Sequence, residues 1–421
     1  MTDKVPCKRP GCTRDILPST AERTGGFCMP CFQRQQNLDR ETFIEKNRVD
    51  VDLFNGITDP AEILMLLHCP PPNDPLKNYL PYSRSIVDLY RQLSAEDGER
   101  LLAKVRRDND VYREVACHVA HFSKLNLAPI QERLLKLRDP YPGYLFRSAS
   151  ESVVHRLIDM ITGRCNALRR HHALIALAWT RHALAEDAFA TWRTSPPSWA
   201  KTLDLPAHRY TEAAGWEVQV RGIRVLYSET CFRLSPKPSY VAALEPHAVR
   251  LCTAAPEGEL CPICSDRLTV LLDFDAAQVG MRPPQWAAGP VTIVTCDRCA
   301  MYGVVYTERS GEAGHRILPH PQHRQPPGED LSELVPHVAD LDIRRSPWEA
   351  ADWCFADGLS QLGGLPSWIQ QPAYPECPIC GHRMPFVGQV ALEDILQSAE
   401  GIIYAFACDQ CGPMATTFQQ S

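Results

Sequence analysis

Twelve of the 18 cysteines stand in six close pairs, and this constrains the chain more than any other feature. Cys7 and Cys12 have four residues between them. Cys28/Cys31, Cys261/Cys264, Cys296/Cys299, Cys377/Cys380 and Cys408/Cys411 have two. Two intervening residues put both sulfurs on one tight turn, and two such turns make the four corners of a zinc tetrahedron. Taken in chain order, the pairs form three sets with 15, 31 and 27 residues between their halves. In Cys377-Pro378-Ile379-Cys380-Gly381 the proline stiffens the turn. The glycine can take positive φ and bring backbone N–H groups toward sulfur. Cys261-Pro262-Ile263-Cys264 repeats this turn with Ser265 in the glycine place, and Gly412 follows Cys411.

Four thiolates leave no open position for water, so each set reads as a structural zinc site rather than a catalytic one. Each site would carry −2 and contribute on the order of 10 kcal/mol of folding free energy. Disulfides are the weaker reading, because close pairs at both ends of a hairpin suit a metal better. The other six, Cys69, Cys117, Cys165, Cys231, Cys252 and Cys354, are scattered and read as buried small apolar residues.

The chain has 421 residues, 44% hydrophobic and 22% charged, which excludes a mainly disordered, collagen-like or coiled-coil protein. Apolar runs such as Ala173–Trp179 fall short of the roughly 18 residues of a membrane helix. MTDKVPCKRP has no apolar signal core. These features lead us to expect a soluble protein of a reducing, cytoplasmic compartment, where clustered cysteines bind metal. Charge is uneven. Residues 201–421 hold 16 Lys+Arg against 26 Asp+Glu, and the whole chain carries −6. An acidic surface attracts basic partners and repels phosphate.

Two segments repeat. Residues 261–306 and 377–418 both run Cys-Pro-Ile-Cys, Arg, an apolar run, an insertion, a second apolar run, Cys-Asp-x-Cys and a closing strand. Alternation in Val291–Thr295 and the run Ile403–Phe406 predict β-strands, hence two related zinc-ribbon units. The stretch 308–335 between them contains His315, His320, His323, Pro319, Pro321, Pro326 and Pro327. It reads as an exposed linker or flap with solvated histidines.

The middle of the chain is helical. Asp59-Pro60-Ala61-Glu62 is a helix start, and Val111/Val115/Val119/Phe122, Val154/Leu157/Ile158/Ile161 and Leu184/Ala188/Trp192 keep a helical period. The expected class is α+β multidomain. A four-cysteine zinc finger spans 1–50, an α-helical array 51–215, and a β-rich region with two zinc ribbons 216–421.

Leu362-Gly363-Gly364-Leu365-Pro366-Ser367-Trp368-Ile369-Gln370, Tyr374-Pro375, the following Cys-Pro-Ile-Cys-Gly knuckle, Met384, Phe386 and Gln389 resemble the bacterial YwqG-like family. Ala173–Val218, with Trp192, Pro196-Pro197, Trp199, Tyr210 and Ala214-Gly215-Trp216-Glu217, is similar to bacterial cytoplasmic proteins of immunity in polymorphic-toxin systems. The opening set with Ile16–Gly26 occurs in similar company. The resemblance implies a β-rich C-terminal region and a protein that neutralises a secreted toxin domain by binding it. Trp368 and Gln370 read as core residues rather than ligand contacts.

The cysteine sets are the predicted metal ligands: Cys7, Cys12, Cys28, Cys31; Cys261, Cys264, Cys296, Cys299; Cys377, Cys380, Cys408, Cys411. The chain contains no HExxH, GxSxG, P-loop or GxGxxG motif, and no catalytic residue is assigned. The expected partner is a cognate, basic toxin domain, bound by a chain that is monomeric when free. The alternative is a zinc-ribbon protein on nucleic acid or the ribosome, which Lys4, Lys8, Arg9, Arg14 and Arg23 would serve. The acidic balance weighs against it.

Overall fold

The computed structural model describes residues 4–238, 249–255, 259–281, 290–310, 314–324, 336–356, 358–396 and 399–420. It is an α+β chain of two compact units, Met1–Val111 and Tyr112–Ser421. The division falls inside the helical array expected over 51–215. Among the described residues no helix is long and apolar enough to cross a membrane.

In the first unit a short antiparallel pair, β1 (Val5–Pro6) and β2 (Asp15–Ile16), precedes α1 (Pro18–Thr24) and α2 (Met29–Asn47). Gly25 ends α1 in the left-handed region at φ 65°, where a Cβ is disfavoured. Of the 19 residues of α2, Cys31 alone is buried. Strands β3 (Val49–Val51) and β4 (Lys77–Tyr79) pair in parallel. Around them lie α3 (Pro60–His68), α4 (Ile86–Gln92) and α5 (Ala95–Val105). Asp59 caps α3 as its sequence predicts, accepting from the Ala61 N–H at 2.9 Å, and it also binds Arg100 of α5 at 2.8 Å. Leu64, Tyr90 and Leu101, one from each helix, are fully buried, and the Tyr90 hydroxyl meets His68 Nε2 at 2.6 Å.

Helix α6 (Asn109–Phe122) crosses the division. The second unit continues with α7 (Ala128–Lys136), α8 (Glu151–Thr162), α9 (Ala167–Thr180) and α10 (Ala183–Thr194). Val115, Val119, Val154, Leu157, Ile161, Leu174 and Leu177 form buried stripes, as the period predicts. A short hairpin, β5 (Trp216–Val218) and β6 (Ile223–Val225), leads into the sheet. Trp216 is fully buried. Its indole N–H donates to the Ala178 carbonyl of α9 at 3.0 Å, and its ring meets Phe189 of α10 edge-on.

The sheet contains β7 (Ser228–Pro238), β8 (Val249–Ala254), β9 (Thr269–Phe274), β10 (Val291–Thr295), β11 (Val305–Ser310) and β12 (Gly314–Leu318). It continues with β13 (His337–Arg345), β14 (Gln361–Gly364), β15 (Phe386–Ala391), β16 (Ile402–Ala407) and β17 (Met414–Gln419). Its spatial order is β10-β9-β8-β13-β7-β14-β15-β16-β17-β11-β12, antiparallel throughout. The sheet curls until its first strand meets its far end. Thr295 of β10 bonds the hydroxyl of Thr416 in β17 at 2.5 Å, and Thr307 of β11 donates to the Val294 carbonyl at 3.0 Å. All three threonines are fully buried.

The Gly363-Gly364 turn lies where β14 passes β7. Both glycines have φ of 70°, and a Cβ on Gly363 would sit 1.9 Å from the Thr230 carbonyl oxygen. No side chain fits there. Trp368, half-buried, packs on Tyr374, Tyr404 and Phe406 as a core residue is expected to. Gln370 is exposed, contrary to expectation, its N–H donating to the Gln419 side chain and its side-chain amide to the Gln420 carbonyl, both at 2.9 Å. One expectation is corrected. Residues 308–310 and 314–318 are the ends of a paired hairpin, and His315 and His323 are buried rather than solvated. Pro326 and Pro327 lie outside the described residues.

His121 of α6 links helices to sheet region. Its Nδ1–H donates to the Trp348 carbonyl at 3.1 Å, and its buried Nε2 has no partner among the described residues. Burial holds its pKa down at about 3, against an ordinary His near 6.5. The unfolded chain therefore takes a proton below about pH 6.5 that the folded chain refuses, and stability falls as pH falls toward 3. Going from pH 7 to pH 5, this group alone removes about 2 kcal/mol. Urea unfolding of wild type and His121→Phe at both pH values checks this. The stability difference between them should shift by about that amount in favour of the variant at pH 5. An unchanged difference would contradict a neutral, buried His121.

Candidate metal centres

The structure brings the twelve paired cysteines together as three groups of four, in the sets that chain order predicts. Within each group the four sulfurs lie within 4.8 Å of one another. Four sulfurs about 2.3 Å from a central zinc ion would be about 3.8 Å apart. The sulfur separations agree: Cys12–Cys28 is 3.8 Å, Cys261–Cys299 3.7 Å, Cys264–Cys299 3.7 Å, Cys264–Cys296 3.4 Å and Cys380–Cys408 3.8 Å. Among the described residues all eighteen cysteines are free of disulfides. The donor set, four soft sulfurs at tetrahedral spacing, fits zinc in each case.

The first group lies in the Met1–Val111 unit. Cys7 and Cys12 sit on the β1–β2 turn, closed by Cys7 N–H to Arg14 at 2.9 Å and Cys12 N–H to Arg9 at 3.1 Å. Cys28 caps α2 and Cys31 lies in its first turn. A helix N-terminus favours thiolate charge. The Cys28 N–H donates to the Cys7 sulfur at 3.2 Å, and this bond leads in pulling the Cys7 thiol down to about 6.

The second and third groups are built alike, which gives the sequence repeat its physical content. In each, the first cysteine N–H closes onto the residue five positions later: Cys261 to Asp266 and Cys377 to His382, both at 2.8 Å. In each, the residue after the second cysteine donates to the first: Ser265 to Cys261 and Gly381 to Cys377, both at 2.9 Å. An isolated antiparallel bridge flanks each turn, Leu260–Arg267 and Glu376–Arg383. Gly381 takes φ 73°, and Ser265 takes φ 65° in the same place, a conformation costly for a residue with a Cβ. The second turn of each unit follows β10 or β16, and the closing strands β11 and β17 pair antiparallel with each other. The two units thus meet through their last strands.

The second group has a feature that sequence reading missed. His323 is buried, and its Nε2 stands 3.7 Å from the Cys261 sulfur, placed to donate its N–H there. The Cys261 thiol is held low, first by Cys296 and then by His323 among its causes. No spacing rule points from His323 to Cys261, 62 positions away. The six remaining cysteines do not join any group. Cys117, Cys231 and Cys252 are buried as expected, and burial pushes each thiol up to about 12. Cys69 and Cys354 are exposed, contrary to expectation, and Cys165 is half-buried with its thiol on the Met160 carbonyl at 3.3 Å.

An outer hydrogen bond to a ligand tunes a metal site by roughly 10- to 100-fold. His323→Phe keeps the ring's bulk and removes the N–H. In a chelator competition with zinc-loaded protein, one ion of the complement should leave about tenfold faster from the variant than from wild type. Identical release from both would contradict a contact between His323 and the second site.

No family model matches the chain, and no solved structure does. A protein of Salmonella typhimurium strain LT2, described as uncharacterized protein YpfL, is 35% identical over 445 aligned residues that cover all of both chains. Such identity over the full length fixes kinship: this chain belongs to the family of YpfL.

Proposed function

We propose that each four-cysteine group holds one structural zinc ion and that the chain works by docking onto another macromolecule. The observation that carries this reading is the closed sulfur set. Four thiolates occupy every corner, so an ion held there pins the fold and offers no site for substrate. The ions would bring the net charge from −6 to about −12, since each four-thiolate site carries −2. Residues 201–421 already carry more than the whole formal excess, 16 Lys+Arg against 26 Asp+Glu, while the rest of the chain is net positive. A surface of that sign speeds capture of a basic partner.

The partner class follows from that charge and from the resemblance of Leu362–Gln370 and Ala173–Val218 to immunity-type proteins. We take it to be a secreted toxin domain, basic because its own target is nucleic acid or nucleotide, and occluded in the cytoplasm by this chain. A second reading has one observation in its favour. Lys4, Lys8, Arg14 and Arg23 are exposed beside the first cysteine group, where they could reach phosphate.

Co-expression with the product of the adjacent toxin-like reading frame separates the two. The docking reading expects surviving cells and a complex that co-purifies and weakens as salt rises. Dying cells with no complex would refute it. A salt-dependent gel shift with RNA or duplex DNA, lost in a Lys8→Gln, Arg14→Gln variant, would favour the second reading.

A further inference from the structure

A cleft of about 640 Å³ opens in the Tyr112–Ser421 unit, between α10, the residues before β5, the β5–β6 hairpin and the third cysteine turn. We propose that this cleft binds a small organic phosphate, of the class of a sugar phosphate. It does not rest on the docking reading, and its occupant is of the opposite charge.

The argument starts from which charges are already used. Three carboxylates line the cleft, and each has a cation. Glu212 is gripped bidentately by Arg209, at 2.9 and 3.1 Å, and met by Arg383 at 3.4 Å. Glu376 pairs with the same Arg383 at 3.1 Å. Glu217 pairs at 3.2 Å with Arg224, from outside the lining, which it shares with Asp409. Arg193, in the last turn of α10, and Arg221, at the hairpin tip, also line the cleft. Neither has an ion pair among the described residues. Arg193 and Arg221 are thus left without a carboxylate. The lining as a whole, four arginines against three glutamates, has an excess of one positive charge, set against the −2 of the third metal site proposed behind the Gly381–Arg383 wall. The His208 ring reports the same imbalance. Burial lowers its pKa first, and Arg193, Arg209 and Arg383 all act on it in the same direction, with Glu212 alone opposing.

Guanidinium forks match phosphate oxygens. The volume lies within the roughly 300–1,000 Å³ of ligand sites and exceeds what a bare phosphate fills. Phe, Tyr and Trp are absent from the lining, though the His208 and His382 rings belong to it, and Gln219 and the carboxylates offer acceptors for hydroxyl groups. A polyanion would meet the acidic excess of residues 201–421 along its whole length, while a small phosphate meets the local arginines. The third cysteine turn supplies Gly381, His382 and Arg383 as one wall, so the ion proposed there would also fix the cleft.

Titration calorimetry on the intact, zinc-loaded chain tests this with ribose 5-phosphate, ribose and inorganic phosphate. Ribose 5-phosphate should saturate one site per chain, inorganic phosphate should compete with it, and ribose should not bind. Arg193→Gln and Arg221→Gln should each weaken binding about tenfold with unchanged Tm, because neither side chain holds the fold together. Absence of saturable binding at millimolar concentration would overturn the proposal. So would variants that bind as tightly as wild type. Salt-dependent binding of a single-stranded RNA without binding of either small phosphate would overturn it as well, and would make the cleft a nucleic-acid contact. None of these outcomes depends on a toxin complex, so this proposal and the docking reading fail separately.

Discussion

The convergence of four cysteine sulfurs on one point, repeated three times, is the constraint on which the rest of this structure depends. Sulfurs 3.4 to 3.8 Å apart are at the edge length of a metal tetrahedron. Thiolates so close repel one another unless a cation sits among them. Each group ties two separate turns of the chain to one point. The first joins the β1–β2 turn to the start of α2, a helix that buries only Cys31. The second and third fasten the ends of β10 and β16 to the turns that precede β9 and β15.

From these anchor points the sheet gains its closure. The repeated units contribute β11 and β17, which pair with each other and stand against β10 through three buried threonines. Unpaired sheet edges invite association with other chains, and curling the sheet onto itself reduces that exposure. The same third turn that would hold an ion forms a wall of the arginine-lined cleft, so metal, sheet and cleft are mechanically one object.

Much of this was legible in the residues for identifiable reasons. Thiolate pairing is a short-range rule, and twelve cysteines in six close pairs admit a simple chain-order grouping that the structure reproduces. The cap at Asp59 and the apolar period of α6, α8 and α9 are likewise local signals. The Gly363-Gly364 pair marked a turn, where the Thr230 backbone leaves no room for a Cβ on Gly363 and the Cys231 sulfur none for one on Gly364. Other features escaped because they are decided by distant partners. Helix α2 has no apolar stripe, and its start is set by Cys28 and Cys31. His323 sits in a Pro- and His-rich stretch that looks like solvated loop. Its environment is set by Cys261, brought to it by the path of β11 and β12. The arginine cleft draws on α10, β5–β6 and the third cysteine turn, and no window of sequence holds all of them.

Metal analysis of the purified chain, combined with X-ray absorption at the zinc edge, tests the central claim most directly. The account predicts three zinc ions per chain, each with four sulfur neighbours at about 2.3 Å. Fewer than three ions, or a nitrogen or oxygen neighbour in the first shell, would contradict it.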